Sequence, residues 1–288
     1  MWRTLIIGAL AALLSVLGGC SALRLGYGQA PELVFWWVDG YVDLDDEQSA
    51  QARDAIRQWF RWHRTTQLDD YATVLSRMQG ELAEPSSAGR MCRLAEQLRS
   101  RMDIAFDQAV PAVAEIARTL TPQQIEHLRR KHAKNNADYR RGYLQADAQE
   151  RRGAQAKRIV DRAETLYGRL DDAQRERVAQ WVAESPFDPQ RWFDERRLRQ
   201  QDVLELLTRL SGDDPPPAQA QAAIRRVYED AFRSPREAYR GYQQRLGDHN
   251  CAFAAQVHNL TTPEQRRRAA ERLKGWEDDL RALATQAP

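Results

Sequence analysis

The stretch Ala95-Glu96-Gln97-Leu98-Arg99-Ser100-Arg101-Met102-Asp103-Ile104-Ala105-Phe106-Asp107-Gln108-Ala109-Val110-Pro111-Ala112-Val113-Ala114-Glu115-Ile116-Ala117-Arg118-Thr119-Leu120 decides the fold class. Its apolar residues Leu98, Met102, Ala105, Phe106, Ala109, Val113, Ile116 and Leu120 recur in steps of three and four. That period places them on one stripe of a helix, the stripe expected to be buried. Pro111 falls inside the run; it has no N–H and clashes with the preceding turn, so it is expected to kink or break the helix. Shorter stripes of the same period occur at Ile159, Ala163, Leu166 and Leu170, at Val203, Leu206, Leu207 and Leu210, at Ile224, Val227, Tyr228 and Ala231, and at Ala269, Leu273, Trp276 and Leu280. No convincing run alternates with period two, so the expected fold is all-α, a multi-helix body.

Working outward, the helix starts are legible. Leu44-Asp45-Asp46-Glu47-Gln48, Leu120-Thr121-Pro122-Gln123-Gln124 and Leu170-Asp171-Asp172-Ala173-Gln174 share a leucine, a capping residue and a Gln three positions after the cap. Leu260-Thr261-Thr262-Pro263-Glu264-Gln265 repeats the pattern with one extra Thr. The Asp or Thr oxygen accepts from a free N–H of the first turn, and the Gln reaches back to the N–H of the cap. Pro122 and Pro263 suit the first helical position, which has no N–H to lose. Ser234-Pro235-Arg236-Glu237 reads as a fifth box.

The order of the boxes suggests two related helical halves. One unit would run from Leu44 to about Tyr143, and a second from Leu170 to about Leu280. The surplus length of the second is assigned to the loop Ser211–Pro217. The alternative is coincidence, since capping boxes are generic. The polar stretch Gln145–Arg152 is the expected linker, which divides the body into residues 31–145 and 153–288.

The N-terminus reads as an export signal. Arg3 supplies a positive charge, and an apolar run follows from Leu5 to Leu17. The run suits a cleaved signal and is too short to span a bilayer, which takes about 20 residues. It ends in Leu17-Gly18-Gly19-Cys20, which resembles the bacterial lipobox: a Leu, two small residues and a cysteine that accepts a diacylglyceryl group. Residues 1–19 are then the signal peptide, Cys20 the lipidation site and residues 20–30 the tether. The competing reading is an ordinary secretory signal with a cysteine at its end. Two or three acyl chains hold a membrane firmly where one does not. Ser21, where the usual sorting pattern reads an inner-membrane retention signal from Asp, points to the inner leaflet of the outer membrane, with the body in the periplasm.

Three cysteines are present. With Cys20 assigned to lipid, Cys92 and Cys251 remain. Export favours their disulfide, and two buried free thiols are the alternative. The net charge of +2, from 43 basic and 41 acidic residues, gives no reason to expect nucleic acid as a partner. The expected partners are the membrane, through the lipid on Cys20, and an envelope protein.

Side chains that carry chemistry are sparse in pattern. His127 and His132 stand five apart, which on a helix turns them to different faces, whereas a zinc pair prefers a spacing of four. His249 and His258 flank Cys251 without the closer ligands a metal needs. His63 stands alone in Trp59-Phe60-Arg61-Trp62-His63. All five histidines read as surface or packing residues, and no catalytic residues, metal site or cofactor are expected. The basic run Arg129, Arg130, Lys131, Lys134, Arg140 and Arg141 reads as a solvated face, or alternatively as one that meets anionic groups. Val34, Trp37, Val38, Tyr41 and Val42 follow helical spacing, with Phe35 and Trp36 off that stripe. This segment is expected to be wedged between helices, with the membrane interface, where Trp is favoured, as the alternative.

Leu17-Gly18-Gly19-Cys20-Ser21-Ala22-Leu23-Arg24-Leu25-Gly26-Tyr27, then Trp36-Trp37 and Asp43-Leu44-Asp45, resembles the start of the Gram-negative lipoproteins grouped as domain of unknown function 6279. Ser185-Pro186-Phe187-Asp188, His249-Asn250-Cys251, Thr261-Thr262 and Gly275-Trp276-Glu277 are similar as well. The resemblance implies an exported helical lipoprotein and no activity, since none is assigned to the family. A five-residue similarity, Leu120 to Gln124, links the chain to small periplasmic chaperones with Leu-Thr-x-x-Gln boxes. The expected function is structural or protein-interacting, with a holdase-like chaperone second and a hydrolase of envelope polymers third.

Overall fold

The computed structural model describes residues 22–286, which form eleven helices and no strand. The fold is all-α, with 86% of the described residues helical. Cys20 and the signal segment lie outside the described residues. In chain order the helices are α1 Ala22–Val42, α2 Asp46–Thr66, α3 Leu68–Glu81, α4 Ala88–Arg118, α5 Pro122–Tyr143 and α6 Ala148–Tyr167. They continue with α7 Asp172–Ala183, α8 Pro189–Asp213, α9 Pro217–Phe232, α10 Glu237–Leu260 and α11 Pro263–Thr285.

All four Gln boxes form. Asp45, Thr121, Asp171 and Thr262 each accept from the N–H of their Gln, and each Gln side chain accepts from the N–H of its cap. Ser234 departs from the pattern. Its hydroxyl accepts from the Arg236 N–H at 3.2 Å and donates to Glu195 Oε1 at 2.7 Å, and α10 begins at Glu237 with no side-chain cap. The oxygen thus holds the turn ahead of α10, two residues on, and does not reach the N–H three residues on that a capping box requires.

The boxes meet in pairs. Gln48 and Gln124 exchange amide hydrogen bonds, and so do Gln174 and Gln265. Each amide nitrogen also donates to a carbonyl two residues before the partner's cap: Thr119 O for Gln48, Asp43 O for Gln124, Leu260 O for Gln174 and Arg169 O for Gln265. Each unit thus closes its Asp box on its own Thr box. The helices around the clasps correspond too. Helix α1 packs on α2 and α5, as α6 packs on α7 and α11. The turns that lead into both Asp boxes use a positive φ, at Asp43 (64°) and Gly168 (76°).

The units differ where the sequence reading placed only a loop. Three helices, α2 to α4, separate the first pair of boxes, and four, α7 to α10, separate the second. Ser211, Gly212 and Asp213 belong to α8, so the surplus is an added helix. The linker is short: α5 ends at Tyr143 and α6 starts at Ala148, leaving residues 144–147 between them. The segment read as a tether is helical from Ala22, pinned where Tyr27 packs on Phe60 and His63.

The units share their core. Helix α4, 31 residues and about 46 Å long, packs on α2, α8, α9 and α10. Helix α11 lies on α3. Pro111 does not end α4. The buried side of α4 is Val110, Ala114 and Ala117, which meet Leu206, Leu210, Ala220 and Ile224. Leu98, Met102 and Val113 are exposed, so the expected stripe has the right period and, at these positions, the wrong face. Small alanines let α8 and α9 approach closely, and that selects the packed side.

Candidate functional site

An apolar cavity of about 350 Å³ opens where the two units meet. Met78 comes from the end of α3 and Leu82 from the residue after it, Met91 and Leu94 from α4, Ile159, Ala163 and Leu166 from α6, and Phe253 and Val257 from α10. These walls have the size and chemistry of a small apolar binding site. Arg90, Arg162 and Glu81 are its charged lining residues. A cleft of about 830 Å³ lies across α8 and α9, but its lining mixes Arg129, Arg209 and Arg226 with Asp202, Glu205 and Asp230. The apolar cavity is therefore the better candidate for a ligand.

The disulfide Cys92–Cys251 joins α4 to α10 beside this cavity, with a Cα separation of 5.3 Å. It connects the helices that precede the Thr box in each unit, across 159 residues of sequence.

His258 forms part of the wall. It is almost fully buried, and both ring nitrogens are engaged. Nε2 lies 2.9 Å from the Glu84 carbonyl, so it must carry the proton and donate. Nδ1 then accepts from the Tyr167 hydroxyl at 2.9 Å. Burial holds the imidazole below its ordinary pKa and pushes the Tyr167 phenol up to about 12. With Nδ1 committed, His258 is placed to fasten α10 to α6 and the α3–α4 turn.

The other histidines are spread over the body. His63 is stacked on Trp59 at 4.6 Å and on Tyr27 at 5.9 Å, and its Nδ1 lies 2.9 Å from the Tyr27 hydroxyl. Burial lowers its pKa to about 4. His127 lies 3.4 Å from the Gly40 carbonyl, and His249 stacks on Phe253. No cluster of three or more His, Cys, Asp or Glu able to hold a metal occurs among the described residues. The carboxyls held below their usual range, Glu164 and Glu277, owe it first to the hydrogen bonds from Arg175 and from Gln79, respectively. Both belong to ion pairs between or along helices.

The aromatic segment of α1 corrects the expectation of burial on two sides. Only Phe35 is buried, under the guanidinium of Arg53, 3.5 Å from its ring centroid. Leu33, Trp36 and Trp37 stand about 60% exposed. No helix of the described residues is long and apolar enough to cross a membrane. On α5, Arg129 pairs with Glu126 and Arg141 with Asp138.

The cavity between units was not foreseen. Its walls come from four helices, and no local pattern marks them. The signal that came nearest is the apolar stripe of α6, whose Ile159, Ala163 and Leu166 all line it.

These features define an all-α protein of two clasped helical units with an apolar cavity at their junction. A family of unknown function, DUF6279, matches residues 40–223, and the chain belongs to that family. The matched span runs from the last turn of α1 into α9 and holds Cys92 but not Cys251. No curated protein and no solved structure matches the chain.

Proposed function

We propose that this protein is a lipid-anchored envelope lipoprotein, held through Cys20 in the inner leaflet of the outer membrane, whose helical body binds a partner in the periplasm. The observation that carries the reading is the lipobox Leu17-Gly18-Gly19-Cys20, which ends two residues before α1 begins. An acyl group on Cys20 would hold the folded body close to the leaflet. The disulfide fits an oxidising compartment. Feeding cells a clickable fatty acid tests the anchor. Wild-type protein should be labelled and processed, and Cys20→Ala should remain an unlabelled precursor. A variant still labelled and cut would refute the reading.

The apolar cavity favours one second reading, a holdase-like chaperone. Its walls would receive an apolar side chain or short apolar segment of an unfolded exported protein. The purified protein should then slow the aggregation of a reduced, unfolding client, and Ala163→Trp, which fills the cavity, should abolish that effect. Equal protection by both proteins would remove the cavity from the function.

A further inference from the structure

Helix α1 has two unlike faces. One packs on α2, α5 and α11 and carries Arg24, Tyr27, Phe35 and Val38. The other faces solvent. From Leu23 to Trp37 it presents Leu23, Leu25, Leu33, Val34, Trp36 and Trp37, all among the large exposed apolar residues of the body. At 100° per residue these six fall on one half of the helix. Between them lie Gly26, Gln29 and Ala30. The helix has three charges: Arg24 lies on the packed side, Asp39 beside it, and Glu32 is exposed at the border of the apolar half. Arg24 pairs with Asp279 and Glu32 with Arg53. The result is a strip about 21 Å long, with Leu23 and Leu25 at one end, Leu33, Val34, Trp36 and Trp37 at the other, and its one bordering charge, Glu32, paired with Arg53. Exposed strips of this kind mark an interaction surface, since isolated surface apolar residues need no explanation but contiguous ones do.

Three observations say what covers it. The strip begins three residues after Cys20, so an acyl chain there would leave it within about 10 Å of the leaflet. Two adjacent tryptophans lie at its far end, and Trp is the side chain favoured at the headgroup level. Cations flank that end. His127 and Asn135 of α5 contact Gly40 and Tyr41, and Lys131 lies midway between them on the same helical row. Lys131 and Lys134 make no ion pair among the described residues, unlike their neighbours Arg129 and Arg141. Lysines beside an apolar, Trp-bearing helix face complement anionic headgroups.

We propose that the solvent face of α1 is a membrane-docking surface that lies flat at the boundary of headgroups and acyl chains in the leaflet that holds the anchor, with Trp36 and Trp37 reaching the upper acyl region. This rests on the lipoprotein reading, and it goes further by fixing the orientation of the body. With α1 against the bilayer, α5 presents Lys131 and Lys134 to the headgroups. The lipid and the face then act as two linked contacts, and the second turns a swivelling anchor into a fixed one.

The test uses the full mature protein, purified from membranes and reconstituted into phosphatidylethanolamine–phosphatidylglycerol vesicles with brominated acyl chains. Bromine quenches only tryptophans that reach the acyl region. Wild-type emission should fall and shift to the blue, and Trp36→Phe/Trp37→Phe should lose both effects while keeping its helical circular dichroism. Quenching that persists in the double variant would assign it to other tryptophans and overturn the proposal. Mass spectrometry of the same samples reads the acyl group. Acylated, vesicle-bound wild type without quenching overturns the face and leaves the anchor standing. An unacylated chain that is still quenched overturns the anchor and keeps the face. A lipid-free dimer that Leu33→Glu converts to monomer would give the strip to a second copy and also refute the proposal.

Discussion

Gln174 and Gln265 stand 91 residues apart in sequence and exchange two side-chain hydrogen bonds, of 2.8 and 2.9 Å. Each also completes the capping box of its own helix, so one buried amide pair ties the starts of α7 and α11 together. The orientation of each amide is forced: the oxygen must face the N–H of its cap, which leaves the nitrogen for the partner and a carbonyl. Removing one member strands several buried polar groups. Gln265→Leu leaves the Thr262 N–H and the Arg169 carbonyl without these partners. At about 1–3 kcal/mol for an unsatisfied buried group, it should cost about 2–4 kcal/mol. Gln201→Leu, on an exposed position of α8, should fall within about 0.5 kcal/mol of wild type. Urea melts of both, with the Gln174→Leu/Gln265→Leu double variant to measure the coupling, check this. Additive losses in the cycle would mean that the pair does not act as a unit.

The clasp also shows what the sequence made legible. A capping box is a bond between residues three apart, so Asp45, Thr121, Asp171 and Thr262 could be read from the chain alone. That one box should dock on another depends on contacts across 76 or 91 residues, which no local pattern encodes. Ser234 shows the opposite limit. Its oxygen still accepts locally, from Arg236 N–H, while its O–H goes to Glu195, which lies within reach only in the folded body. The helical spacing of Val34, Trp37, Val38, Tyr41 and Val42 shows that the segment is a helix but not which sides of it meet other helices, and that decides the exposure of Trp36 and Trp37. The cavity between α3, α4, α6 and α10 belongs to this second kind, a product of assembly.

The Cys92–Cys251 disulfide closes a long loop across both units. Such a link stabilises chiefly by restricting the unfolded chain. The Cys92→Ser/Cys251→Ser variant should therefore lose about 2–4 kcal/mol, seen as a lower urea midpoint, with its far-ultraviolet spectrum unchanged. Protein unfolded without reductant should show no thiols from this pair. Two reactive thiols would contradict the bond.

His63 should make stability depend on pH in a defined window. Burial lowers its folded pKa to about 4, against about 6.5 for a free imidazole. The unfolded chain therefore takes up the proton first. The contribution of the neutral, stacked ring is fully present above about pH 6.5 and is lost as the pH falls toward 4. Glu164 and Glu277, whose carboxyls are held low, begin to lose their contributions at the ordinary carboxylate pKa and finish below it, so their window opens near where that of His63 closes. Wild type should lose stability between pH 6.5 and 4.5, and His63→Gln should be flatter there despite being less stable at pH 7. Parallel curves for the two proteins would show that another group sets the acid limb.

The last prediction concerns where the anchored body resides. Under the lipoprotein reading, Ser21 becomes the residue beside the acylated amine of Cys20. A carboxylate at that place would put a negative charge next to the headgroups and change what the sorting machinery meets. Ser21, Ala22 and Leu23 carry no charge, and Arg24, the first ion, is drawn to Asp279 of α11. The headgroup-proximal chain is thus uncharged, as passage to the outer membrane requires under the usual sorting pattern. Wild-type protein should band with outer-membrane markers on a sucrose gradient. Ser21→Asp should shift it to the inner-membrane fractions without altering fatty-acid labelling, because the lipobox is untouched. The folded body should be unaffected too, since the substitution precedes α1. Wild type found with the inner-membrane markers would refute the outer-membrane assignment while leaving lipidation intact, and a variant that does not move would show that this host sorts by another rule.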